Sequence, residues 1–502
     1  MTTVVLGLDL ATAGARLVAV DDEGSVLAER SAPLAPVASP AEGRLEQQPV
    51  YLDAARGLLG AVAEQLGPRA ARVRALAVTG TSGTVVPVAG DGRPAGSAIL
   101  YADQRARGEA AALRAAGISA TDTSPLARIA WLQRHAPADH YCFTPDVVAA
   151  GLLGHRVATD TSHALKAGID PVAARWDETA LAALGLAPDA LPELVHPGTV
   201  LGEIGDRVAA EIGLPQGVDV VAGMTDGCTA QIASGAVDPG DTVGVLGTTL
   251  VWKSVSEREV TGFNGALYSH YAPDGRWWPG GASNVGAAPV AEEFGATDPA
   301  RLAELEHLAA AHGPAAGVRY PLRGVGERFP FATPTARGFW VGDQAARGDE
   351  ATAYRTLLEG VAFLERLGLE TLAARGVPVR RHHLAGGASR NQLWNRIRAT
   401  VLDVPAIRPR RTGSAYGAAV LALAAVTGCG LTEALARTGA GDDPVEPLAA
   451  ERDRLRESYG RFRHELAARG YLEPAGPAEA AGPAGAAGPA EPAGPARPTQ
   501  TT

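Results

Sequence analysis

The same short pattern opens both halves of this chain, and it limits the possible folds more than any other feature. Val4–Leu10 is an apolar run that reads as a strand, Ala11-Thr12-Ala13-Gly14 reads as a turn, and residues 16–20 and 26–28 read as two further strands around Asp22-Glu23-Gly24. Far downstream, residues 242–246 read as a strand, Gly247-Thr248-Thr249 as a turn and residues 250–255 as the returning strand. Short apolar runs punctuated by small turn residues mark hairpins, and a sheet with an apolar face needs a second layer to cover it. Apolar spacing of three and four over residues 52–66, 302–311 and 357–372 supplies that layer as helices. The expectation is an α/β fold of two like domains facing one another across a cleft, residues 1–238 and 239–472, divided near Val237-Asp238-Pro239-Gly240. A length of 502 residues agrees with more than one core. Residues 473–502 are a Pro, Ala and Gly repeat with almost no large apolar side chain, which reads as a disordered tail.

Composition narrows the function. Hydrophobic residues at 46% and charged ones at 20% describe a globular chain, and no apolar run is long enough to span a bilayer. The first residues lack the secretory pattern, and three dispersed cysteines, Cys142, Cys228 and Cys429, fit reduced thiols, so a soluble, cytoplasmic protein is expected. A formal charge of −10 argues against a nucleic-acid surface and leaves small molecules as partners. The eleven histidines show no metal-ligand spacing, and no structural metal is expected. Of 45 Lys plus Arg, only Lys166 and Lys253 are lysine. Either a compact point charge is required at those two places, or they are surface survivors; composition alone leaves both readings open.

Three segments carry chemistry. Asp9 ends the first strand beside a turn of small residues and Thr12, so amides and a hydroxyl can approach an anion next to a carboxylate suited to Mg²⁺. Ordinary hairpins use the same residues, but Gly247-Thr248-Thr249 offers a second such turn from the other half. Asp226 follows the apolar run 220–225 and is placed to accept a proton. Phosphoryl transfer needs neutralised phosphates, an aligned hydroxyl and a carboxylate of this kind, although Asp before Gly is also a common turn pair. Lastly, Gly386-Gly387 precedes a helix whose Leu393, Ile397 and Val401 step by four. A nucleotide can lie along such a turn with Asn391 and Trp394 at its base and ribose; the other reading is a plain strand-to-helix turn with Trp394 in the core. The dinucleotide fingerprint is absent, which disfavours an oxidoreductase.

Together and in this order, these segments resemble the FGGY family of carbohydrate kinases over residues 4–470. The nearest likeness is to its ribulokinase-like branch of cyanobacteria and plants, through GTSGTVVPV at 80–88, ILYADQRA at 99–106, ALKAGID at 164–170, LGTTLVWK at 246–253 and GGASNVG at 280–286. The resemblance implies an α/β fold of two actin-like, ribonuclease-H-like domains with a central cleft. The first would bind sugar and carry catalysis, the second would bind nucleotide, and ATP with Mg²⁺ would phosphorylate a sugar hydroxyl. It implies Asp226 as the general base, Asp9 and Thr12 at the Mg²⁺, phosphate and sugar region, and Ser82 on the sugar. Gly247 and Thr248 would hold the transferring phosphate, and Gly386, Gly387, Asn391 and Trp394 the adenosine. Xylulokinases of the family usually show Met-His-Gly where this chain has Thr81-Ser82-Gly83, so D-ribulose, giving D-ribulose 5-phosphate, is expected ahead of D-xylulose or another ketose or polyol. A catalytically silent actin-like binder is the alternative of another class, and monomer and homodimer both stay open. Ala11, Ala13 and Ala385 depart from the family pattern. Ala13 gives up a hydrogen bond worth about 0.5–1.5 kcal/mol, so ATP affinity is expected to be modest.

Overall fold

The computed structural model describes residues 2–342, 345–439 and 442–472; the expected tail at 473–502 lies outside the described residues. Its first half builds a six-stranded sheet from β1 (Val4–Leu10), β2 (Gly14–Asp21), β3 (Val26–Pro33), β4 (Val73–Gly80), β5 (Val200–Glu203) and β6 (Asp219–Thr225), in the order β5-β6-β4-β1-β2-β3. Strands β1, β4 and β6 run parallel, and β1, β2 and β3 form an antiparallel meander. The second half repeats the plan in seven strands. These are β7 (Asp241–Leu246), β8 (Leu250–Ser254), β9 (Leu267–Tyr271), β10 (Trp277–Ala282), β11 (Arg381–Ala385), β12 (Ala406–Pro409) and β13 (Asp442–Pro444), ordered β9-β10-β8-β7-β11-β12-β13. Here β7, β11 and β12 are parallel, and the hairpin β7–β8 continues antiparallel into β10 and β9.

The apolar runs are continuous because both sheet faces are covered. Successive side chains of β1 point to opposite faces: Leu6, Leu8 and Leu10 join a core roofed by α1 (Tyr51–Leu66), whereas Val5 joins a second one. That second core is shared by the two halves. It gathers Val5, Val18, Ala77 and Val221 of the first sheet, Trp278 of the second, and two helices, α3 (Asp226–Ala233) and α6 (Ser414–Thr427); α2 is the single turn Thr161–Ala164. Helix α6 lies so close that a Cβ on Gly7 would come within 1.9 Å of Ala415 O, and one on Gly417 within 1.7 Å of Thr229 O. Two further helices, α4 (Glu350–Ala374) and α5 (Gln392–Leu402), cover the second sheet.

Each expected helix is present but starts earlier than its apolar spacing. The 302–311 pattern lies in a helix over Pro299–His312 capped by Asp298, and the 357–372 pattern lies in α4, capped by Asp349. Polar first turns held by an Asp cap carry no apolar periodicity, which is why the spacing misses them. Among the described residues no single helix is long and apolar enough to cross a membrane.

Candidate active site

In the first sheet the register aligns Leu10 with Gly80 and Gly80 with Thr225. The three parallel strands therefore end level, and the turns at Ala11–Ala13 and Thr81–Gly83 and the start of α3 at Asp226 leave from one edge. Open α/β sheets bind ligands outside the carboxyl ends of their strands. Thr81 N–H donates to Leu10 O at 3.1 Å, which fixes two of these turns together. Gln47 Nε2 donates to Thr12 O at 2.7 Å, and Tyr51 in turn donates to Gln47 Oε1, so a buried amide sets the first turn.

Asp9 stands one residue before the end of β1. Burial, and then the neighbouring Asp226, push its carboxyl up to about 7, while Arg16 works in the opposite direction. Its Oδ1 is buried without a hydrogen-bond partner, and so is Ser82 Oγ. Buried polar atoms are ordinarily satisfied, so two orphans at one strand edge point to a polar ligand. Asp226 opens α3, and its Oδ1 accepts Gly227 N–H at 2.6 Å. Beneath it Thr79 Oγ1 donates to Met224 O and lies 3.1 Å from Thr229 Oγ1, which anchors the strand-to-helix junction.

The second sheet delivers its turns the same way. Val245 pairs with Ala385, so Gly247-Thr248-Thr249 and Gly386-Gly387 also leave from one edge. Thr248 and Gly387 are exposed. Gly386 has φ +88°, and a Cβ there would come within 2.4 Å of Leu246 O, so only glycine lets the two turns lie against each other. Asn391 caps α5 by accepting Trp394 N–H at 2.7 Å. The reading of Trp394 as an adenosine contact is corrected. Its indole is 2% exposed in the core beneath the second sheet and donates to Leu358 O at 3.0 Å, so it packs beneath the loop.

Several residues escaped the sequence reading. His163 on α2 reaches Gly80 O at 3.2 Å and Asp160 at 2.6 Å. Burial would lower its pKa, but Asp160 and other neighbours raise it to about 9. Ser162 Oγ accepts Thr225 N–H and lies 3.1 Å from His270 Nδ1 on β9, linking the two halves behind the strand ends. Burial, with Lys253, Lys166 and His163 nearby, holds His270 well below its ordinary pKa. The Asp160/His163 spacing of i, i+3 was visible in sequence; its partner Gly80 was not.

Among the described residues no three His, Cys, Asp or Glu side chains form a metal cage. Magnesium in phosphoryl-transfer sites takes one or two carboxylates and completes its shell with phosphates and water. Asp9, with its orphaned oxygen beside Asp226, fits that demand.

Residues 4–233 match the N-terminal domain, and residues 241–426 the C-terminal domain, of the FGGY family of carbohydrate kinases. The chain is 23% identical to the gluconokinase of Bacillus subtilis (strain 168) over 457 residues, 84% of this chain and 88% of that protein. It superposes on a xylulose kinase from Rhodospirillum rubrum with a TM-score of 0.81 and 27% identity, covering 93% and 98% of the two chains. A xyloylose kinase from Brucella ovis gives 0.83 and 25%, covering 93% and 99%. With both domains matched and whole structures superposing on sugar kinases, the chain belongs to the FGGY family of carbohydrate kinases and is an ATP-dependent sugar kinase of actin-like two-domain fold.

Proposed function

We propose that the chain moves the γ-phosphoryl group of ATP onto the terminal hydroxyl of D-ribulose, with Asp226 as general base. The observation that carries this reading is the pair of orphaned buried atoms, Asp9 Oδ1 and Ser82 Oγ, at the strand edge where Asp226 emerges. Ser82 takes a sugar hydroxyl. Asp226 accepts the proton of the attacking hydroxyl as its oxygen bonds to phosphorus and the bond from phosphorus to the ADP oxygen breaks. Gly247 and Thr248 offer amide and hydroxyl donors to the transferring phosphate, Thr12 serves the phosphate region, and the Gly386-Gly387 backbone receives the adenosine with Asn391 at its rim. Asp9 would hold Mg²⁺, which supplies charge neutralisation to the phosphates when bound. Trp394 supports that loop from the core.

D-xylulose is the second reading, favoured by the xylulose kinases among the similar proteins. A coupled ADP-release assay with D-ribulose, L-ribulose, D-xylulose, L-xylulose, ribitol and gluconate separates them. D-ribulose should give the highest kcat/KM. The highest value with D-xylulose overturns the reading of Ser82, and no sugar-dependent ADP release from any acceptor favours a silent binder.

A further inference from the structure

Lys253 is the residue the mechanism leaves unexplained. It lies on β8, four residues past the Gly247-Thr248-Thr249 turn, is 7% exposed, and is one of only two lysines among 45 basic residues. Its side chain crosses from the second half of the chain to the first turn of α3. A Cβ on Gly227 would lie 3.3 Å from Lys253 Cε, Nζ donates to Cys228 Sγ at 3.2 Å, and the ammonium acts electrostatically on Asp226. One side chain thus engages three consecutive residues, 226, 227 and 228. Its stem passes a second glycine, for a Cβ on Gly280 would sit 3.1 Å from Lys253 Cγ. Gly227 and Gly280 together leave a channel that fits a slim aliphatic stem, and a planar guanidinium would not replace the compact ammonium at its end. That is a physical reason for lysine here in a chain that otherwise uses arginine.

The thiol takes one of the three ammonium donors. Burial works against the charge, yet Cys228, Tyr268 and Asp226 together hold the Lys253 pKa above its ordinary value. Two further charged or titratable groups lie in this region, His270 on β9, on which the Lys253 charge acts, and Lys166, whose ammonium lies 5.2 Å from the Tyr268 ring.

We propose that Lys253 is a positioning residue for phosphoryl transfer: reaching over from the hairpin that carries the phosphate turn, it holds the first turn of α3 and so sets Asp226 against the phosphate held at Gly247 and Thr248. The proposal rests on Asp226 being the base. A residue of this kind acts on the reacting geometry and leaves ground-state binding nearly untouched, because the sugar and adenosine contacts are made elsewhere.

The test compares Lys253→Met, Lys253→Gln, Lys166→Met and Asp226→Asn in the full chain, each checked for folding by circular dichroism and thermal melting. Lys253→Met should lower kcat by about ten- to hundredfold, with KM for ATP and for the best sugar within about threefold of the parent. Lys166→Met should keep kcat within about threefold. If Lys253→Met does not fold, Lys253→Gln decides by the same criteria. A kcat within threefold in a folded Lys253 variant, a loss confined to KM, or an equal loss in Lys166→Met overturns the proposal. Near-parental turnover in Asp226→Asn overturns the base reading itself. A dead Asp226→Asn beside a fully active Lys253→Met overturns only the role of Lys253.

Discussion

Asp9→Asn should make the protein more stable at neutral pH and inactive. In the native state the Asp9 carboxyl titrates near 7, against 3.8 for the free side chain, because burial and then Asp226 disfavour its charge. Between these values the folded chain holds a proton that the unfolded chain has released, so stability falls as pH rises. The loss is complete above about 7 and absent below about 4. Each unit corresponds to about 1.36 kcal/mol, so the whole window amounts to about 4 kcal/mol at most, and the part between pH 5 and 8 to about 2–3 kcal/mol. Asparagine is nearly isosteric and does not titrate, and it removes one of two like charges. Urea unfolding of the ligand-free parent and variant at pH 5, 6, 7 and 8 measures the difference directly. The variant should gain on the parent by about 2–3 kcal/mol across that range, mostly below pH 7. A difference that stays constant from pH 5 to pH 8 refutes the argument, since it would mean that Asp9 is already ionised at pH 5 in the native state.

Other perturbations separate the parts of the site. Asp226→Ala should keep the fold and lower turnover by at least about 10²-fold, the low end for losing acid–base help; near-parental turnover in the coupled assay excludes it as the base. Gly386→Ala places a methyl group against Leu246 O in a left-handed backbone, so it should cost about 1–3 kcal/mol in urea melts and raise KM for ATP at least about tenfold. An unchanged KM would show that this loop does not touch nucleotide. Trp394→Phe loses the bond to Leu358 O and some core volume, and should lower stability by about 1–3 kcal/mol with KM for ATP within about threefold. A tenfold rise in KM at unchanged stability would return Trp394 to the nucleotide site.

Much of this was legible in the chain, for identifiable reasons. The paired hairpins, with their Thr-bearing turns, follow from short apolar runs broken by small residues, and they recur in both sheets. The level ends of β1, β4 and β6 are a matter of register between strands far apart in sequence, and no local pattern encodes it. For that reason Asp9, Ser82 and Asp226 could be named but not brought together. Trp394 shows the opposite case. It lies three residues before Ile397 and seven before Val401, which is the spacing of one buried helix face, so its packing was readable, and its nearness to the glycine turn drew the wrong inference. Lys253 was conspicuous by composition, but its channel depends on Gly227 and Gly280, which belong to different domains' strands and turns.

A raised carboxyl pKa does not by itself mark the site, and the second domain shows why. Glu359 on α4 is also buried and pushed up to about 7, yet it accepts hydrogen bonds from Arg355 and from Ala315 N–H inside a helix-packed core. Glu365 is as deeply buried, and although burial would raise it, Arg398 and His382 bring it down to about 2. Both are structural: their partners are permanent, and breaking such a pair leaves an uncompensated charge. Asp9 differs in kind. Its charged neighbours are a like charge, Asp226, and an opposing but insufficient Arg16, and its partnerless oxygen, unlike that of Glu359, stands where three parallel strands end level. The fold gives Glu359 and Glu365 an arginine beside each and leaves Asp9 next to a like charge at an open strand edge, and a cation carried with a nucleotide's phosphates supplies the charge and coordination that Asp9 lacks.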